Sequence, residues 1–352
     1  MKMEEKYCRY LLEKEKDYFV SNNYVSYLVD SQKECLNTKF VNNGSCFKET
    51  LKNMFGVDVE CKLYDSVVLG EGHESEKIDT IYSSSLQSLL VFHNVMNKPI
   101  EIVLKNGNDG IKFNKVFFEQ KNKVIGYPSS IDVVLVNDTE KVIVFIESKL
   151  FEIVRDSIDK ERYKKHNKAF PKVIGVSYLS EDSSSIYSMF GANNIKEEFN
   201  KIGISLPDRP KKHNELKKED AIPIEPLSEN RYVYSEGIKQ IIAHLIGIIN
   251  FKNGFKHEGC LKELKEEKYK DYKYYYLQLY NALPGFKDNS AQDKIKEFES
   301  HVDTVFDTIT DLRLKEEGIV CLKKTYQELY KENKEYFNGL DKIISFYHLN
   351  EE

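Results

Sequence analysis

The sequence predicts an α/β fold, a central sheet flanked by helices, on three observations. Val- and Ile-rich runs at 131–136 and 142–146, separated by polar turn formers, read as a β-hairpin. Ser83, Ser84 and Ser85 stand ahead of Leu86, Leu89, Leu90, Phe92 and Val95, the pattern of a serine-capped, buried helix. Ala291 to Glu316 repeats its apolar residues at helical spacing and stops near Gly318. At 352 residues the chain can bury a large core, as one domain or two. Its 41% hydrophobic content, with 23 Tyr and 20 Phe, is that of a folded chain.

From the N-terminus, Tyr7, Leu11, Leu12, Tyr18 and Phe19, then Tyr24, Tyr27 and Leu28, are spaced for one helix face, so residues 1–55 read as helical. Val57 to Leu69 alternates, as a short strand pair or a linker would. Gly70 to Glu74 is a glycine-rich acidic loop that lacks the Lys and Ser or Thr of a phosphate-binding loop. Two apolar runs within Glu101 to Gln120 flank Asn106-Gly107-Asn108-Asp109-Gly110, a turn signal. The second run, Lys115 to Gln120, reads as a strand; its Glu119 is either a supporting acid or an exposed strand-end charge. Lys123 to Gly126 then leads to Tyr127-Pro128, where the proline holds Tyr127 extended.

The hairpin carries charges on otherwise apolar strands. With Asp138-Thr139 as its loop, Asn137 opposes Glu140 and Asp132 opposes Phe145. Glu147 and Lys149 then share the face of Asp132, with Glu147 its diagonal neighbour at roughly 7–8 Å. A loop one residue longer or shorter would undo this. Two carboxylates and an ammonium are costly to bury unless they pair or hold a metal ion. Lys149 could therefore bridge to Glu147 or Asp132, or the acids could share a cation.

Beyond the hairpin, Asp156 to Ala169 reads as a basic helix bearing Lys160, Arg162, Lys164, Lys165 and Lys168, and Val173 to Leu179 as a buried strand. Asp182 to Ser185 marks a loop and Ile195 to Ile202 a helix. Pro207 to Pro226 is a Pro- and Lys-rich connection with a second basic cluster, Arg209 to Lys218. Arg231 to Tyr234 reads as a strand and Glu236 to Asn250 as an apolar helix, with Gln240 and His244 one turn apart on one face. His244 fits a satisfied core histidine. Tyr269, Tyr272 and Tyr274 to Tyr276, ahead of Leu277 to Leu283, read as a strand on the core, and Tyr326 to Leu349 as helical.

The formal net charge of −5 gives no overall basic field, so any nucleic-acid contact must come from local patches. The six cysteines form no close pair, which argues against a zinc knuckle or a disulfide framework. The histidines lack zinc-ligand spacing. The N-terminus is charged from its second residue, and no stretch approaches the roughly 18 apolar residues of a membrane span. A reducing cytoplasm, with no membrane, is the expected compartment.

In order and spacing, Gly70-Glu71-Gly72-His73-Glu74, Tyr82-Ser83-Ser84-Ser85-Leu86, Phe117-Phe118-Glu119, Ile131-Asp132 and Ile146-Glu147-Ser148-Lys149-Leu150-Phe151-Glu152 resemble a restriction-endonuclease-like branch of the PD-(D/E)XK nuclease superfamily. The resemblance implies a restriction-endonuclease-like core, a mixed sheet flanked by helices, over 70–250. A helical region would precede it at 1–69, and a mostly helical extension packed on the core would follow at 251–352. It also implies a magnesium-dependent endonuclease, with manganese as a substitute, acting on nucleic acid and on DNA before RNA. Asp132, Glu147 and the Ser148 carbonyl would hold the ion, and Lys149 would orient the water or neutralise the phosphate. Glu119 and Gln240 would support them, Lys160 to Lys168 would contact the nucleic acid, and a homodimer would let two sites cut two strands. Two alternatives stay open: an RNA nuclease, and a binding module that keeps the fold without cleaving. On this reading Lys149→Ala abolishes cleavage and leaves folding nearly intact.

Overall fold

The computed structural model describes residues 6–7, 10, 25–26, 39–40, 47–68, 78–80, 83–104, 110–123, 128–154, 177–179, 184–185, 233–252, 254, 266–309 and 318–351. Two helices lead in, α1 (Phe47–Phe55) and α2 (Cys61–Val68). The sequence points to a strand pair or linker for α2, yet Leu63 and Val67 sit one turn apart and are both buried, so helical spacing prevails over alternation. Val25 pairs with Phe40 in a two-residue antiparallel ladder, inside the region expected to be helical; β-branched and aromatic residues suit such cross-strand positions. The third helix, α3 (Ser84–Phe92), begins as the serines predict: the Ser83 hydroxyl accepts the Leu86 N–H at 3.1 Å.

β1 (Ile100–Val103) and β2 (Gly110–Phe113) form a separate antiparallel hairpin. Its edge is held by Asn333, whose carboxamide bonds both the N–H and the C=O of Glu101 at 2.7 Å. The main sheet follows, from β3 (Lys115–Lys123), β4 (Pro128–Asn137), β5 (Val142–Lys149), β6 (Lys273–Tyr280) and β7 (Ile319–Thr325). Its order is β7-β6-β5-β4-β3. β3, β4 and β5 run antiparallel in succession, while β6 is parallel to both β5 and β7.

Parallel neighbours need crossovers. Helix α4 (Val233–Lys252) lies between β5 and β6 in the chain, and α5 (Asn289–Ile309) between β6 and β7. Helices α6 (Tyr326–Glu332) and α7 (Asp341–Phe346) close the described chain. α4 packs on β3 and β4, α2 on β3, and α3 on β4 and β5. The five strands therefore lie within a helix-covered mixed α/β architecture. Val133 to Val136 and Val142 to Ile146 are buried at every position, as strands covered on both faces must be. Among the described residues no helix is long and apolar enough to cross a membrane.

Several local expectations change. Val233 and Tyr234 open α4 instead of forming a strand, because they continue its helical run. Ser184 and Ser185 pair with Ser177–Leu179 where a loop was expected. The strand expected ahead of Leu283 is β6, and residues 251–352 supply both β6 and β7 to the main sheet. The basic segment with Lys160, Arg162, Lys164, Lys165 and Lys168 lies outside the described residues. So do Gly70 to Glu74, the turn at 106–109, and the segments at 195–202 and 207–226.

The hairpin loop also differs. Asn137 pairs with Val142, so the loop is 138–141 and Phe145 opposes Val134, not Asp132. The Asn137 side chain accepts the Glu140 N–H at 2.8 Å, and Lys141 takes a left-handed φ of 51°, which together close a four-residue turn. Asp138 anchors it by accepting from Lys115, from Lys268 and, at 2.8 Å, from the Tyr272 hydroxyl. Because the loop is two residues longer than expected, the parity of the strands is kept. Asp132, Glu147 and Lys149 still share a face.

Candidate active site

The site is a row of polar side chains laid across the sheet. Phe118 pairs with Val133 and Gln120 with Ile131, so Glu119 and Asp132 occupy the position between. Val133 pairs with Ile146, which brings Glu147 to the level of Asp132, and Gln278 pairs with Glu147 from β6. Glu119, Asp132, Glu147 and Gln278 thus stand side by side on β3, β4, β5 and β6, on the face covered by α4.

Each member is held. The Ser148 N–H donates to Asp132 Oδ2 at 2.6 Å, beyond the last β4–β5 pair, Val133 with Ile146. A strand residue's N–H and C=O point to the same side, so the Ser148 carbonyl is also directed at the β4 edge. Glu119 is buried with a φ of 50°, an unusual conformation for a non-glycine strand residue, and its Oε2 accepts the Ser130 hydroxyl at 2.7 Å. The Lys149 ammonium donates to Glu147 Oε1 at 2.6 Å. Glu147 is 2% exposed and Lys149 has a side chain 13% exposed, so this is a buried pair. Removing Lys149 would therefore cost stability, contrary to the expectation that folding is left nearly intact.

His244, on α4, completes the group. Its Nε2 lies 3.0 Å from Glu147 Oε2, and His244 Nδ1 lacks a hydrogen bond. Gln240, one turn earlier, is half-buried and makes no hydrogen bond among the described residues; it is His244 that reaches the acids. The sequence placed both on the right helix face but favoured packing for His244. Gln278 was missed, although it is the one carboxamide in an aromatic and apolar strand, which is the available signal. Its Nε2 donates to the Glu147 carbonyl at 3.2 Å, and its Oε1 accepts the Tyr276 hydroxyl at 3.0 Å.

The opposite face carries a second network. Ser148 Oγ and the Tyr326 hydroxyl are 2.8 Å apart, and Ser88 Oγ lies 3.3 Å from the same hydroxyl. Glu152 accepts the Ser84 hydroxyl at 2.7 Å and the Leu150 N–H at 3.0 Å, which fixes the chain leaving β5.

These contacts divide the charge unequally. Burial, with the neighbouring Glu147 and Glu119 carboxylates, pushes the Asp132 carboxyl well above its ordinary range. Burial also raises Glu147, but the adjacent Lys149 and His244 outweigh it and bring that carboxyl down to about 2. Lys149 is held above its ordinary value by Glu147, Glu152 and Asp132 against the effect of burial.

The donors fit a divalent ion in kind. Asp132 and Glu147 offer carboxylate oxygens, Ser148 offers a carbonyl at the open end of the ladder, and Glu147 Oε2 is buried without a hydrogen bond. They are not a closed cage, for among the described residues no three Asp, Glu, His or Cys side chains are gathered closely enough to enclose an ion. Comparison of the chain with protein-family models, with curated proteins and with solved structures gives no match.

Proposed function

We propose that this chain is a metal-dependent nuclease that hydrolyses phosphodiester bonds, with DNA as its first substrate, on a restriction-endonuclease-like core. The observation that carries the reading is the convergence of Asp132, Glu147 and Lys149 on one face at the point where β4 and β5 part. The sequence resemblance assigns the catalytic roles to the same three residues. The mixed sheet flanked by helices is the architecture that the resemblance implies.

Asp132 and Glu147 would hold the ion, with the Ser148 carbonyl beside them. A bound divalent cation supplies charge neutralisation at the scissile phosphate and a water of lowered pKa. The chain's own contribution is placement. Lys149, fixed by Glu147 at 2.6 Å, presents a point charge near the acids, suited to a phosphate oxygen or to the attacking water. Burial, with the neighbouring Glu147 and Glu119 carboxylates, holds the Asp132 carboxyl high in the absence of a cation. Gln278 and Ser148 stiffen the two strands that carry the acids. The Lys160 to Lys168 run would track the nucleic-acid backbone, and a homodimer would cut both strands.

A second reading is favoured by one observation, the absence of a closed ligand set among the described residues. On that reading the charges form an internal network in a binding module that does not cleave.

The test is incubation of supercoiled plasmid, linear duplex and single-stranded RNA with the protein in Mg2+, Mn2+ or EDTA. Metal-dependent cutting of DNA supports the main reading, and cutting of RNA alone moves the substrate. Binding without cutting in any metal favours the binding module.

A further inference from the structure

We propose that Lys121 is a second phosphate-binding lysine, which holds the nucleic-acid backbone beside the phosphate that Lys149 meets, so that the site takes a polynucleotide strand and not an isolated phosphodiester. The inference rests on the nuclease reading and adds to the same site a residue that grips its substrate.

The strand register places it. Lys121 pairs with Ser130 on β4, and Lys149 pairs with Tyr280 on β6. Residues two apart on a strand share a face and stand roughly 6.7 Å from each other along it. Lys121 and Ser130 therefore lie one step beyond Glu119 and Asp132 on the same face, and Lys149 lies one step beyond Glu147 in the same direction. An inner row of acids is bordered by an outer row that carries two ammoniums.

The outer row is where the site opens. The last β4–β5 pair is Val133 with Ile146, so the two lysines stand on either side of the gap between the parting strands. Ser130, Asp132 and Lys149 are half-buried at that gap, whereas Glu119, Glu147 and Gln278 are buried. A substrate reaching the acids thus passes the outer row first. The backbones at Lys121 and Lys149 are two strand spacings apart, roughly 10 Å, which suits different phosphates of one strand better than one phosphate alone. Lys121 is 9% exposed, and an ammonium held that far out of water attracts a phosphate more strongly than one on an open surface. The acids of the inner row suit a cation, and the lysines of the outer row suit phosphate oxygens.

The experiment uses the full chain, as the parent, Lys121→Gln and Lys121→Arg, with fluorescent single-stranded and duplex DNA oligonucleotides. Anisotropy with Ca2+ gives affinity across a salt series, and cleavage in Mg2+ or Mn2+ gives KM and kcat. Lys121→Gln should weaken binding about tenfold at low salt and reduce the slope of log affinity against log salt by nearly one, the signature of one lost phosphate contact. The loss should fall on KM more than on kcat, and Lys121→Arg should restore the slope. A neutral methylphosphonate placed next to the mapped scissile phosphate should weaken the parent about tenfold and cost Lys121→Gln nothing further. A folded Lys121→Gln with the parental salt slope overturns the proposal and leaves Lys121 as an internal partner of the sheet's own charges. A parent that tolerates methylphosphonate at every position beside the scissile one overturns it as well, and that scan stands even where Lys121→Gln folds poorly. A parent that neither binds nor cuts overturns the nuclease reading, and this proposal with it.

Discussion

Replacing Lys149 by Met keeps most of the side-chain volume and removes the charge that Glu147 depends on. Glu147 is 2% exposed and bonded to Lys149 at 2.6 Å, so the variant leaves a carboxylate buried with only His244 beside it. Breaking a buried pair costs about 3–5 kcal/mol, and the lower end applies because Lys149 keeps some exposure and His244 remains. A loss of about 3 kcal/mol corresponds to roughly 4 °C in Tm for a chain of this length unfolding as a unit. The pH dependence follows from the lowered Glu147 carboxyl. Its contribution is fully present above the unfolded value of 4.5 and is lost as pH falls through about 2. The gap between parent and Lys149→Met should therefore be full at pH 7.5 and shrink below about pH 4.5. Urea unfolding at pH 7.5 and pH 3.5 measures both, with the double variant Glu147→Gln/Lys149→Met regaining most of the loss. Equal stability of parent and single variant at pH 7.5 would show that the pair is not buried, and a double variant as unstable as the single one would refute the electrostatic reasoning.

Asp132→Asn should behave in the opposite sense. A raised folded carboxyl costs stability as pH rises from 3.8 toward the folded value, so the cation-free variant should melt above the parent at pH 8, with the gap closing toward pH 4. A lower Tm at pH 8 would contradict the crowding of Glu119, Asp132 and Glu147. Tyr326→Phe removes the hydroxyl between Ser148 and Ser88 and should cost about 1–3 kcal/mol in urea unfolding, with no change in divalent-ion affinity. Divalent ion at about 100 times its Kd should stabilise the parent by roughly 2.7 kcal/mol in thermal unfolding, and Glu147→Gln should remove that gain.

The legible part of the site is local. Asp132, Glu147 and Lys149 sit on two strands joined by a short loop, and their shared face depends on loop parity alone. The loop is 138–141 and not 138–139, yet two extra residues preserve parity. The serine cap of α3 was legible because it needs only Ser83 and Leu86. What the local sequence did not reveal is what comes from far along the chain. β6 joins β5 in parallel from more than a hundred residues away, and such pairing carries no turn signal. The strand bearing Tyr276 and Gln278 was legible, but its place beside Glu147 was hidden for that reason. His244 lay on the expected helix face, but only the packing of α4 on the sheet shows that it meets Glu147.

The central claim is that Asp132, Glu147 and Lys149 form a hydrolytic metal site. Its most direct test is the rate of supercoiled-plasmid loss in Mn2+ and Mg2+ at pH 8, for the parent and for Asp132→Asn shown to be folded by circular dichroism. The account predicts cutting by the parent that EDTA abolishes, and a loss of at least about a hundredfold in the variant, the scale of one removed electrostatic contact to the transition state. Cutting by folded Asp132→Asn at the parental rate would contradict it.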